Sequence, residues 1–217
     1  LLPFARGHTG KGNIDKEPWS FGKDVENTCR LALQRRYRLL PYFYTLAREA
    51  ARSGLPIARP VFFADPADPA LRDVDDAFLL GDDLLVVANV KPGRRDPAAP
   101  LPAFPRGNWR EISLVDGDLT DADLPRLFLR EGAVLPLGPL VQWSDEKALD
   151  EVELLVNPDA QGRAVGALYE DAGDGHGHLD GEYRLTQFTY GDGRLESARV
   201  DGDWTAGVWS THVRVVR

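Results

Sequence analysis

The sequence predicts an α/β unit followed by an all-β region of antiparallel sandwich type. Three observations carry this expectation. One long stretch, 23–54, has apolar residues recurring near the helical period. After a short turn comes the mostly apolar run "PIARPVFFAD", which reads as a buried strand. From residue 84 onward, short apolar runs alternate with Gly, Pro and Asp, the pattern of sandwich strands and their turns.

The chain opens on "PFARGHTGKGNIDKEPWSFG", a polar, aromatic, glycine-broken stretch with neither helical nor strand period. It is expected to be a loop. The helical stretch then carries Val25, Cys29, Ala32, Leu33, Leu40, Phe43, Tyr44 and Ala47 as its apolar stripe. Asp24 is the expected N-cap, with Glu26 and Asn27 in the first turn. Pro41 removes a backbone donor and is expected to kink the helix or split it in two. Gly54, with Pro56 close behind, is the expected stop. Loop, helix, turn and strand in that order make one β/α unit, of the kind that builds parallel sheets or barrels. One unit closes neither. Next, "DDAFLLGDDLLVVANV" reads as a short helical turn and then a strand around 84–90. Further strands are expected over 109–115, 127–129, 133–137, 152–156, 164–169, 183–189 and 197–200. The segment 91–108 is a proline-rich exposed connector, and a boundary between strand sets is expected near 143–150.

With 217 residues, the chain can form one large domain or two small ones. Its net charge of −8 argues against non-specific nucleic-acid binding, which needs a basic surface. Cys29 is the single cysteine, so no intrachain disulfide and no CxxC metal site can form, which fits a reducing cytoplasm. No apolar run approaches the roughly 18–20 residues of a membrane span. No signal-peptide pattern is present. The chain begins at Leu1 rather than Met, so a processed or partial polypeptide is expected.

Four groups of residues have chemical potential. Arg6 and His8 lie in the glycine-rich opening loop. Such loops carry binding and catalytic groups when they follow barrel strands, and are otherwise plain surface loops with local hydrogen bonds. Asp15 and Glu17 are paired carboxylates of the type hydrolases need. Loop spacing does not fix their separation, however, and pairing with nearby Arg or Lys is favoured. "YEDAGDGHGH" is rich in oxygen and imidazole ligands, yet it fails the EF-hand spacing, and a glycine-rich hairpin turn is the stronger reading. Trp109, Trp143, Trp204 and Trp209 are either sugar-stacking platforms or sandwich core, with core the default. No Ser nucleophile elbow, P-loop or dinucleotide-binding fingerprint occurs.

Several segments together resemble the C-terminal portion of glycoside hydrolase family 31, the α-glucosidase family. They are "PFARGH", "EPWSFG", "RRYRLLPYFYTLAREAARSGLPIARPVFF", "DDAFLLGDDLLVVANV", "PRGNW", "LPRLFLREGAVLPL" and "LYEDAGDG" followed by "GEYRLTQF". Within the family, "KGNIDKEPWSFG" and "FFADPADPALR" are most similar to the neutral α-glucosidase-like branch. The resemblance implies α/β plus all-β architecture: the C-terminal end of a (β/α)8 barrel over 1–78, then two antiparallel β-sandwich domains over 79–143 and 144–217. The stretch 23–53 would be the seventh barrel helix and 56–65 the last strand. His8 would hydrogen-bond the hydroxyls of a terminal glucose, with Arg6 as its substrate-binding neighbour, and "EPW" would buttress their loop.

In the family, the catalytic carboxylates lie upstream of the Arg6–His8 segment. Asp15 and Glu17 do not match them, and no catalytic residue is assigned within this chain. The implied whole is a retaining exo-α-glucosidase acting on terminal α-linked glucose, with no cofactor and no metal. Its partners would be an α-glucoside and the remaining N-terminal part of the enzyme, with no nucleic acid, no membrane and a cytoplasmic location. The alternatives are a non-catalytic carbohydrate-binding β-sandwich protein, or an α-xylosidase or α-galactosidase of the same family. The β-sandwich alternative would have its tryptophans exposed along one sheet face.

Overall fold

The structure, a computed structural model, describes residues 1–88, 90, 96, 98–205, 207 and 209–216. After an irregular opening arm, Pro18–Phe21 forms a single 3-10 turn. Gly22, at φ +94°, then leads into α1 (Lys23–Arg38). The first helical bond runs from Glu26 N–H to Gly22 O at 3.0 Å, so Gly22 rather than Asp24 takes the cap position. Asp24 and Glu26 sit in the first turn, where their charge meets the positive end of the helix dipole.

The long helical stretch is split rather than kinked. α2 (Leu40–Ser53) starts anew beyond Leu39. Pro41 has no N–H to continue the ladder. The Arg38 carbonyl freed at the break accepts the Gly138 N–H at 2.8 Å, so the interruption leaves no orphaned acceptor there. Gly54, at φ +77°, ends α2 in the left-handed conformation that glycine adopts without strain.

Among the described residues the strands form two sheets. In the first, β1 (Ala58–Pro60), β2 (Ala77–Leu80), β3 (Leu84–Val87), β4 (Trp109–Glu111) and β5 (Arg126–Arg130) are ordered β1-β2-β3-β5-β4, antiparallel throughout. The second contains β6 (Ala133–Leu137), β7 (Glu151–Asn157), β8 (Ala164–Asp171), β9 (Tyr183–Gly191), β10 (Arg194–Asp201) and β11 (Ser210–Val215). Its order is β10-β9-β8-β6-β7-β11, and two of its pairings, β6 with β8 and β7 with β11, are parallel.

Three local expectations differ from this. Residues 77–80 form strand β2 rather than a helical turn: Gly81 at φ +59° turns the chain straight back into β3. The segment 56–65 contains only the three strand residues of β1, which pair antiparallel with β2 instead of closing a parallel barrel. Pro60 cannot donate to a ladder, and a 3-10 turn over Val61–Phe63 follows at once. β11 had no counterpart in the apolar pattern. Of the connector 91–108, residues 91–95 and 97 lie outside the described residues. The division expected at 78/79 falls inside β2, and β6 pairs in the second sheet.

Both sheets share one apolar core cluster with α2. Tyr42, Phe43 and Leu46 of α2 meet Leu80, Leu84, Val86, Leu127 and Leu129 of the first sheet, and Ala133, Leu135, Leu137 and Leu155 of the second. The period-2 alternation of strands decides the rest. Leu85, Val87 and, from β5, Phe128 point to the opposite face of the first sheet, where Val61 and Leu71 cover them. Val152, Leu154 and Val156 point away from Leu155 into a third cluster with Leu168 and Phe188. Covered on both faces, β3, β6 and β7 read as almost unbroken apolar runs.

Charged side chains fasten α1 to this β-rich body. Arg35 is buried and donates to Asp118 Oδ2 at 2.8 Å, to Asp118 O at 2.9 Å and to Pro125 O at 2.6 Å. Arg38 reaches Leu114 O at 3.2 Å, the Gly138 carbonyl and the Glu153 carboxylate on β7. Arg214 on β11 pairs with the same carboxylate. Among the described residues, no helix is long and apolar enough to cross a membrane.

Candidate functional site

The opening arm is clamped at its root and free beyond it. The Arg36 guanidinium donates to the carbonyls of Leu2 and Pro3, the latter at 2.7 Å. It also lies 5.3 Å from the centre of the buried Phe43 ring, so the clamp is seated on the core. A few residues on, Arg6 and His8 are both exposed. Among the described residues neither side chain makes a hydrogen bond or ion pair. Between them and the next turn, the Thr9 hydroxyl is buried without a partner. The arm then turns back on itself through Asn13 N–H to Gly10 O at 3.1 Å, with Gly12 at φ +82°.

Asp15 and Glu17 are exposed on the far limb of this turn. The expected pairing with Arg or Lys does not occur among the described residues. Glu17 instead accepts the Ser20 hydroxyl at 3.5 Å across the 3-10 turn, because the compact "EPWSF" geometry brings that hydroxyl within reach first.

The 169–178 stretch is a hairpin connection, as its turn chemistry predicts. Asp171 accepts the Tyr44 hydroxyl at 2.5 Å, the Tyr169 hydroxyl at 2.7 Å and the Gly173 N–H at 2.8 Å. Burial alone would raise the Asp171 carboxyl, but the two phenols and the Gly173 amide outweigh it and hold the pKa below the ordinary carboxylate value. The reciprocal effect is on Tyr44, whose phenol is pushed up to about 12 by burial and by the Asp171 hydrogen bond. With its oxygens occupied, Asp171 has little left for a cation. Among the described residues, no group of three His, Cys, Asp or Glu could hold a metal ion.

The four tryptophans do not line one face. Trp109 packs beside the first sheet and donates to Pro105 O at 3.0 Å. Trp209 packs 5.7 Å from Phe188 on the second sheet and donates to Glu170 at 3.1 Å. Trp204 is half-buried, and of the four only Trp143 is exposed, at 58%. One feature escaped the sequence entirely. α2 and the β8–β9 connection enclose a cleft of about 600 Å³, lined by residues more than a hundred positions apart. In the sequence its two sides read separately, Tyr44 as part of the apolar stripe and 169–178 as a hairpin turn.

The polar arm leads into a helix pair, and a β-rich body is bolted to those helices. Residues 1–46 match the domain family described as "Glycosyl hydrolases family 31 TIM-barrel domain", and residues 54–135 match "Glycosyl hydrolase family 31 C-terminal domain". The chain belongs to glycoside hydrolase family 31.

Among curated relatives, it is 32% identical over 207 residues to a probable glucan 1,3-alpha-glucosidase of Arabidopsis thaliana, covering 91% of this chain and 22% of that protein. It is 32% identical over 191 residues to alpha-glucosidase 2 of Bacillus thermoamyloliquefaciens, covering 84% of this chain and 24% of that protein. Among solved structures, a family 31 alpha-glucosidase from Bacteroides thetaiotaomicron superposes with a TM-score of 0.79 at 41% identity, over 98% of this chain and 35% of that one. The GH31 alpha-xylosidase from Xanthomonas citri superposes with a TM-score of 0.75 at 26% identity, over 93% of this chain and 23% of that one. The chain thus spans about a quarter of the length of these two curated relatives.

Proposed function

We propose that this chain supplies one wall of the glucose-binding subsite, together with the accessory sheets, of a retaining exo-α-glucosidase. The observation that carries the reading is the arm. It lies inside the barrel-domain match, it is rooted by Arg36, and it presents Arg6 and His8 outward with no partner among the described residues. A side chain that is positioned yet unpaired has its hydrogen-bonding capacity free for a ligand. His8 donates to and accepts from sugar hydroxyls, and Arg6 supplies fixed positive charge beside it.

The hydrolysis needs two carboxyl groups about 5–5.5 Å apart, one attacking the anomeric carbon and the other protonating the leaving oxygen. Asp15 and Glu17 stand apart from this chemistry, and the reacting carboxylates are carried by polypeptide outside these 217 residues. The substrate is a terminal α-linked glucose of an oligo- or polysaccharide, and the location is cytoplasmic. The similarity to the Xanthomonas citri alpha-xylosidase favours α-xylosidase as the second reading.

The test is His8→Ala in the enzyme that contains this chain, assayed on 4-nitrophenyl α-glucoside and α-xyloside. Loss of hydrogen bonds to the sugar lowers kcat/KM about ten- to a hundredfold on the preferred glycoside. The ratio of the two rates decides between the sugars. Unchanged kinetics on both glycosides would remove His8 from the subsite.

A further inference from the structure

We propose that the cleft between α2 and the β8–β9 connection is a binding site for a neutral oligosaccharide. Neither Arg6 nor His8 lines it, so the inference stands apart from the role of the arm. Its volume of about 600 Å³ lies within the range of about 300–1,000 Å³ typical of small-molecule sites.

One wall is a row of three tyrosines. Tyr44 and Tyr169 have ring centres 5.5 Å apart, and Tyr169 and Tyr183 are 5.6 Å apart. The row is held rigid from several sides. Arg48 packs 5.0 Å from the centre of Tyr169 and 4.8 Å from that of Tyr183, and it is itself tied to Asp201 at 3.1 Å. The Tyr183 hydroxyl donates to the same Asp201 at 2.7 Å. Tyr44 and Tyr169 both donate to Asp171. A wall fixed in this way loses little conformational freedom when a ligand arrives.

The charge pattern selects the ligand class. A phosphate or carboxylate ligand needs unpaired cations, but Arg48 is already paired and Arg52 lies 3.9 Å from Asp201. A metal ion needs a cluster of free ligands, but Asp171 already accepts two phenols and an amide, and among the described residues no group of three His, Cys, Asp or Glu could hold one. What remains is an aromatic wall with a mixed polar and apolar rim. Arg52 is 64% exposed at its side chain, Leu179 is 75% exposed, and His178 stands beside it. Aromatic and aliphatic surface suits the C–H face of a pyranose, and the rim donors and acceptors suit its hydroxyls.

The experiment is native gel electrophoresis of the enzyme that contains this chain, through gels with and without soluble starch or dextran. The wild-type enzyme is expected to be retarded by at least one of the two polymers. Tyr44→Ala, which removes the exposed ring of the tyrosine row, should weaken the retardation about tenfold in apparent affinity. His8→Ala should be retarded as wild type. If Tyr44→Ala melts below the wild type, Leu179→Asp on the rim takes its place with the same expectation. Three results would each overturn the proposal: no retardation in either polymer, retardation unchanged in both cleft variants, or retardation lost in His8→Ala and kept in the cleft variants. None of them depends on turnover, so failure of the glucosidase reading and failure of this one are separately visible.

Discussion

At the scale of single residues, the most consequential contact is Arg35 with Asp118. Their side chains are 1% and 0% exposed, and Arg35 is the one buried side chain of α1. Asp118 also accepts the Leu114 and Val115 amides and the Ser113 hydroxyl. Removing one member of a buried pair strands the other charge, at about 3–5 kcal/mol. Arg35→Ala should lower the unfolding free energy by that amount in urea titration. The pH dependence follows from the carboxylate. Burial would raise the Asp118 pKa, but the Leu114 amide, the Ser113 hydroxyl and Arg35 outweigh it, so the folded value lies below the unfolded one. Its stabilisation is therefore complete above the unfolded carboxylate value of about 3.9 and is lost as pH falls through the folded value. Asp118→Asn should be less stable at pH 7, and the difference from wild type should shrink toward pH 3. An undiminished difference at pH 3 would contradict this. None of this contact was legible in the sequence, because the partners are 83 positions apart and Arg35 reads as one more basic residue in a basic helix. Arg6 and His8 were legible as exposed loop residues. The role proposed for them comes from family resemblance, not from composition.

At the scale of elements, punctuation residues told most. Pro41 and Gly54 marked where α1 gives way to α2 and where α2 ends, because each acts through its own backbone chemistry. The apolar runs at 133–137 and 152–156 located β6 and β7 for the same local reason. The short run "AFLL" did not decide between helix and strand, since four apolar residues fit either period. β11 was invisible: its residues are mostly exposed, and its parallel pairing with β7 is a tertiary fact. Gly166 illustrates what such pairing demands. A Cβ there would lie 2.0 Å from the Val134 carbonyl oxygen on β6. Gly166→Ala should thus cost about 1–3 kcal/mol or more. Gly191→Ala, where a Cβ meets nothing within 4 Å, should stay within about ±0.5 kcal/mol. Thermal melts of the two variants side by side check this, and equal melting temperatures would contradict the close approach.

At the scale of the whole molecule, the helices and sheets are a single mechanical unit. The core cluster runs from α2 through both sheets, and Arg35 and Arg38 fix α1 to the same body. The arm is rooted in that unit by Arg36 of α1, which holds Leu2 and Pro3 a few residues ahead of Arg6 and His8. In the proposed function, the arm rooted on this unit binds the sugar, while the bond is broken by carboxylates on other polypeptide. The most direct measurement is covalent trapping in the enzyme that contains this chain. A slow fluorinated α-glucosyl donor accumulates the glycosyl-enzyme of a retaining reaction, and peptide mass spectrometry then locates the adduct. The account predicts a glucosyl label on a carboxylate outside residues 1–217. A label on Asp15, Glu17 or any other carboxylate of this chain would contradict it.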